Sequence, residues 1–343
     1  MGTEDYHTIS TDPDYLYPTD PPLELFSHGL NVMTNFSGTC MLTELNVTAD
    51  SYNPGSVFVW PMLQYFLCIL GLVGNGNVIW LLAFHIKRNT FTTYVLNLAL
   101  ADSGVLIILL VIGIVDVSNH FVWHGFPFLD VQILYYLFGL MHGVGQFLLT
   151  TISIDRCASV LFPIWHRCRR PPHLSAIICT LIWALWFLVY GVHMILFSMS
   201  RISTDISPYV ALANGLICFP VMTISSLTLF IKVYFKSHQS RRGKLIKTIL
   251  LALLFFLILA FPLTVIYVLG VFFDFHFLLH CSIWHLGLFC ASLNSSVNPL
   301  IYFLVGRNRR SPSTESMKFI LQRVFKEQEN SEGDLEPRVQ IQL

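Results

Sequence analysis

Charge is scarce in this chain. Of its 343 residues, 12% are Asp, Glu, Lys or Arg against 54% hydrophobic, and the mean hydropathy is +0.63. Soluble globular domains carry about a quarter charged residues, so a soluble fold is excluded and a membrane protein is the first reading. Lys and Arg are missing altogether from the first 50 positions, which hold eight acids (Glu4, Asp5, Asp12, Asp14, Asp20, Glu24, Glu44 and Asp50). The formal net charge of zero therefore conceals a strong asymmetry. Segments without Lys or Arg are the ones left outside the cytoplasm, which predicts an outward N-terminus. The same stretch lacks a basic region followed by an apolar core, so no cleavable signal peptide is expected and the first span takes that role.

What is present is apolar length. Runs long enough to cross roughly 30 Å of hydrocarbon recur at about 58–84, 93–117, 127–154, 174–197, 209–235, 246–271 and 281–305. The twenty Lys and Arg residues decide the count. Lys87 and Arg88 fall in the first short loop, and Arg167, Arg169 and Arg170 in the second inner one. Lys232, Lys236, Arg241, Arg242, Lys244 and Lys247 flank the third, and seven more follow the last run, leaving only Arg201 on the opposite side. This alternation predicts an all-α membrane protein, a bundle of seven transmembrane helices with the N-terminus out and the C-terminus in.

The expected organisation is an outward tail over 1–57, the bundle over 58–305, a juxtamembrane segment over 306–326 and an acidic tail over 327–343. Both tails are polar enough to be disordered in character. In the juxtamembrane segment Met317, Ile320, Leu321, Val324 and Phe325 recur at helical spacing, which predicts a short amphipathic eighth helix resting on lipid headgroups. No Cys follows Cys290, so that helix has no palmitoyl anchor. Asn35 and Asn46 open Asn-X-Ser/Thr triplets on the outward tail and are expected glycosylation acceptors. Tyr6, Tyr15 and Tyr17 stand near acids, as sulfation sites or as ordinary tail tyrosines.

Polar residues inside the apolar runs are few and therefore informative. A lone Asn in a span is most often glue between helices. Asp102 is different: an unpaired carboxylate in hydrocarbon is costly, and it calls for partners such as Asn75, Asn294, Ser295 and Asn298. At the end of the third run the stretch from Thr150 to Arg170 carries Asp155-Arg156-Cys157, then Ser159-Val160-Leu161-Phe162-Pro163-Ile164-Trp165-His166-Arg167-Cys168. Arg156 alone would be explained by snorkelling to the membrane surface. Asp155 before it and the Pro163 and basic cluster after it are not.

This stretch resembles the Asp-Arg-Tyr element that closes the third span of rhodopsin-like G-protein-coupled receptors, and with Cys157 in place of Tyr it resembles the Mas-related receptors more narrowly. The resemblance covers about residues 58–326. It implies that Asp155, Arg156, Asn298, Pro299 and Tyr302 serve coupling and activation, and that Asn75, Asp102, Asn294 and Ser295 form an intramembrane polar switch. Gly145 stands where the third span usually offers a polar side chain to a sodium site. Ala260 replaces the usual Trp two residues before Pro262, a loss shared with Mas-related receptors. Such receptors often hold the third-span Arg with an acid at the inner end of the sixth span, yet no Asp or Glu occurs from Tyr234 to Phe273, and Arg242 lies near that position. Signalling without ligand is the expectation. The usual bridge from the third span to the second outer loop cannot form, because no Cys lies between Cys68 and Cys157 or between Cys179 and Cys218. Cys40 and Cys281 are the two outward cysteines, with a tail-to-loop disulfide between them left open.

Four further acids, Asp116, Asp130, Asp205 and Asp274, stand at outward loops or span ends, opposed by Arg201 alone. Carboxylates around a low-dielectric vestibule concentrate cations, and aromatic residues such as Trp284 add cation–π surface, so an extracellular cationic peptide or amine ligand is expected. Basic peptides and amines are also what the family resemblance implies. The remaining expected partners are a heterotrimeric G protein, membrane lipids and arrestin, with no nucleic acid and no cofactor. A seven-span transporter or proton-conducting protein is the alternative, disfavoured because Asp102 is the only mid-span acid and no internal repeat is visible. No Lys lies between Val271 and Gly306 for a retinal Schiff base. The scattered His142, His193 and His285 make no catalytic cluster, so an enzyme is not expected. His120 and His124 with His276 and His280 are better read as solvated loop residues than as a zinc site.

Overall fold

The computed structural model describes residues 54–86, 88–121, 128–171, 173–199, 206–236, 258–259, 264–265 and 277–306. All elements among them are helical: α1 (Pro54–Phe84), α2 (Thr90–Phe121), α3 (Phe128–Leu161), the short α4 (Pro163–Cys168), α5 (Leu174–Ser198), α6 (Ser207–Lys236) and α7 (Phe277–Gly306). Helices α1, α2, α3, α5, α6 and α7 coincide with the first, second, third, fourth, fifth and seventh expected spans. Five of them, α1, α2, α3, α5 and α6, contain stretches long and apolar enough to cross a membrane. The sixth expected span lies almost wholly outside the described residues, and so do the eighth helix and both tails.

Local chemistry sets the helix limits. Asn89 opens α2 as an N-cap: its side-chain oxygen accepts from the Thr92 N–H at 2.8 Å, and the Thr92 hydroxyl accepts from the Asn89 N–H at 2.7 Å. That reciprocal pair satisfies two donors that a helix start leaves orphaned. Pro163 is the first residue of α4, where its missing N–H costs nothing, and the same residue prevents α3 from running straight on. The chain therefore folds back beneath the third span.

Helix α3 is the centre of the packing, touching α2, α4, α5 and α6, while α1 and α7 pack together against α2. Small residues permit these approaches. A Cβ at Gly143 would come within 2.6 Å of the Trp186 ring and one at Gly139 within 2.5 Å of the Tyr190 hydroxyl, so α5 seats two aromatic rings against glycines of α3. Across the bundle, Gly71 faces Ser296, and Gly74 approaches Pro299 so closely that an added Cβ would stand 3.0 Å away. The Ser296 hydroxyl ties this seam by donating to Ser292 O at 2.7 Å and approaching Leu67 O at 3.1 Å. The buried core runs from Leu81, Tyr94 and Leu98 to Leu148, Trp186 and Met222, while Leu70, Val73, Leu181, Leu188 and Leu216 face outward as lipid contacts require.

Candidate functional site

Two buried carboxylates organise the polar interior. The first is Asp102 on α2, 3% exposed. The Asn298 amide on α7 donates to its Oδ2 at 2.8 Å, and the Ser295 hydroxyl is a second partner one turn earlier. Asn75 on α1 does not reach the carboxylate. Its amide donates instead to the backbone carbonyls of Ser295 and Gly71, each at 3.0 Å, so it holds α1 to α7 just where Asp102 needs its partners. Asn294 is buried four residues before Asn298, and Pro299 is buried inside α7. Helices α2 and α7 thus meet on one carboxylate through neutral donors, with α1 tied to α7 beside them. The nearest described atom to a Cβ built on Gly145 is Asp102 Oδ1 at 3.8 Å, so the glycine lies against the carboxylate and offers it no polar side chain.

The second carboxylate is Asp155, near the inner end of α3, and its surroundings are cationic. Arg170 donates to its Oδ1 at 2.7 Å, a charge-assisted hydrogen bond. Arg156 approaches Oδ2 at 3.6 Å, an ion pair beyond hydrogen-bonding distance. His166, on α4, stands 3.5 Å from Oδ1 and receives a 2.6 Å hydrogen bond from Arg170. Side chains of Asp155, Arg156 and Arg170 are all 8–10% exposed, so these charges interact with little water between them. The guanidinium of Arg156 lies 4.4 Å from the centroid of Phe91 at the start of α2. The Tyr94 hydroxyl lies within interaction range of Asp155 and Arg170. Beside this cluster Phe162 and Ile164 are 62% and 79% exposed, the most open apolar side chains of this loop among the described residues.

The sequence singled out Asp155 and Arg156 but missed three of their partners. Arg170 figured only as one of a run of loop cations, and Phe91 and His166 carried no signal of contact. Trp183 stood out in the fourth span by its type, but its partner did not: the indole N–H donates to the Asn97 side-chain oxygen at 3.1 Å, joining α5 to α2. His142 contacts Gln146 at 2.9 Å and stacks on Phe138, while His193 is buried with its ring against Tyr136. Among the described residues no three His, Cys, Asp or Glu side chains form a metal-binding group, and Cys68, Cys157, Cys168, Cys179, Cys218 and Cys290 are free thiols.

At the other end, Asp116 lies in the last turns of α2 and Asp130 in the first turn of α3, so the two helices bring these positions to one end of the bundle. Trp284 and Cys281 fall in the first turns of α7, and Tyr302 near its end. The side chains of these five residues lie outside the described residues, as do Asp205, Asp274, Asn35, Asn46 and Cys40 altogether.

The family described as 7 transmembrane receptor (rhodopsin family) matches residues 74–302. The chain is 33% identical to the proto-oncogene Mas of Mus musculus over 294 residues, 81% of this chain and 86% of that protein. It is 36% identical to Mas-related G-protein coupled receptor member D of Macaca fascicularis over 325 residues, 90% and 97% of the two chains. It is also 38% identical to member X2 of Homo sapiens over 287 residues, 79% and 85%. The helical bundle agrees with these matches, and the chain belongs to the Mas-related group of rhodopsin-like G-protein-coupled receptors, multi-pass membrane proteins that are not enzymes.

Proposed function

We propose that this receptor sits in the plasma membrane with its N-terminus outside, binds a cationic peptide or amine there, and activates a heterotrimeric G protein at the opposite face. The observation that carries the ligand class is the charge count. Asp116, Asp130, Asp205 and Asp274 meet a single outward cation, Arg201. The first two stand at the α2 and α3 ends that the intervening 122–127 segment joins. A funnel of carboxylates steers cations inward, and the attraction weakens as salt screens it.

Coupling is assigned to Asp155 and Arg156, with Asn298, Pro299 and Tyr302 relaying the change from mid-membrane. A ligand that binds one helix packing better shifts the population towards it, and the polar contacts between α1, α2 and α7 are the ones such a shift would rearrange. The exposed Phe162 and Ile164 beside the cluster give a G protein an apolar patch to bury.

Dose–response curves for a basic agonist on Asp116→Asn, Asp130→Asn and Asp274→Asn receptors, at equal surface expression, test the ligand class. At least one should lose about tenfold in potency, which corresponds to ~1.4 kcal/mol. Full potency in all three, or an anionic best agonist, would contradict the assignment.

A further inference from the structure

We infer that Arg170 is the positioning residue of the coupling face: it clamps the short inner-loop helix α4 onto Asp155 and, in doing so, draws that carboxylate away from Arg156. The inference rests on reading the inner end of α3 as the coupling face and adds a residue to it.

Distances decide between the two arginines. One carboxylate serves both, and it is 2.7 Å from Arg170 but 3.6 Å from Arg156. Only the first is a hydrogen bond, and charge-assisted bonds in shielded settings are about twice as strong as neutral ones. Asp155 therefore commits Oδ1 to the loop, while its Oδ2 makes no hydrogen bond among the described residues. Arg156 holds the longer ion pair, and its guanidinium also lies 4.4 Å from the centroid of the Phe91 ring.

The loop side of the contact is organised for this. Pro163 starts α4 and folds the chain back, which returns Arg170 to a residue fifteen positions earlier on α3. Within the loop, Arg170 Nη1 donates to His166 Nε2 at 2.6 Å, and because Arg has no acceptor that nitrogen must be the unprotonated one. His166 also approaches Oδ1 at 3.5 Å, so two loop side chains converge on this one oxygen. His166 holds the guanidinium in place, and the guanidinium holds the carboxylate. With Arg156 and Arg170 both cationic, the cluster carries more positive than negative charge. Removing Arg170 would return the whole of Asp155 to Arg156.

Hydrogen–deuterium exchange of the α4 backbone, measured on the purified full-length receptor in lipid nanodiscs, tests this without ligand or G protein. Arg170→Ala should speed exchange across Pro163–Cys168 roughly tenfold, the factor expected for losing a hydrogen bond to a charged group. Asp155→Asn should give much of the same increase. Because Arg170 acts through Asp155, Arg170→Ala on the Asp155→Asn background should add less than half of its effect in the otherwise unchanged receptor. Arg170→Lys keeps the charge without the fork and should restore part of the protection, and it serves as the test if the alanine variant does not reach the membrane. Unchanged α4 exchange in Arg170→Ala, full additivity in the double variant, or Arg170→Lys as unprotected as alanine would each overturn the inference. Exchange is read independently of signalling, so failure here leaves the receptor role standing. Failure to signal would likewise leave the clamp to be judged by its own result.

Discussion

Asp102 and Asp155 are both buried, 3% and 9% exposed, yet they keep opposite company. Asp102 is met by the neutral donors of Asn298 and Ser295, both on a membrane-spanning helix. Asp155 is met by two guanidinium groups, one of them delivered by a loop helix of six residues. The contrast separates two uses of a buried charge. Around Asp102 every partner is fixed by helix packing, so losing one leaves a polar atom stranded and the cost falls on stability. Around Asp155 there is a surplus of partners, so losing one redistributes the rest and the cost falls on the balance between states.

Asn298→Leu removes the 2.8 Å donor and leaves the carboxylate poorly paired. That should cost about 1–3 kcal/mol, seen as a lower thermal midpoint of the purified receptor. Arg170→Ala, which removes one of two guanidinium groups, should instead leave the midpoint nearly unchanged, whereas Asp155→Asn should raise ligand-free nucleotide exchange on a G protein by about tenfold, equivalent to ~1.4 kcal/mol, because Arg156 loses its anion. If Arg170→Ala destabilises as much as Asn298→Leu does, the distinction between the two sites collapses.

Smaller effects sharpen the picture. Arg170→Ala should lower ligand-free exchange by roughly threefold, the opposite sign to Asp155→Asn, because the carboxylate returns to Arg156. A part-buried charge-assisted contact supports a change of about 1 kcal/mol. A rise would mean that Arg170 restrains Arg156 rather than releasing it.

The sequence disclosed much of this architecture. Apolar length and the placement of Lys and Arg were sufficient for the spans that the structure describes, because hydrocarbon thickness and the positive-inside rule act on composition alone. Asp102, Asn298 and Ser295 were legible as partners because a mid-membrane acid is too costly to leave alone. Asn75 was only half legible: it joins the same cluster, but through a backbone carbonyl that no side-chain inventory can reveal. Arg170 was illegible as a clamp. Arg167, Arg169 and Arg170 are equivalent in a charge count, and only the turn at Pro163 determines which one returns to Asp155. Gly139 and Gly143 were silent for a related reason: their role depends on which rings of α5 lie opposite.

On the proposed reading Arg156 has no acidic partner on the sixth span and shares its own helix's carboxylate with the loop, which leaves the receptor unlocked at rest. The smallest predicted effect belongs to Arg242→Glu, which supplies the missing acid and should reduce ligand-free exchange by about twofold, within the ~0.2–1 kcal/mol of an exposed ion pair. The direct measurement is nucleotide exchange on a panel of purified heterotrimers by ligand-free receptor in nanodiscs, with the unchanged chain and Arg242→Glu side by side. Exchange above that of empty nanodiscs is expected for at least one heterotrimer, and less of it for Arg242→Glu. Exchange indistinguishable from empty nanodiscs across the panel, or a measurable rate that Arg242→Glu leaves unchanged, would contradict it.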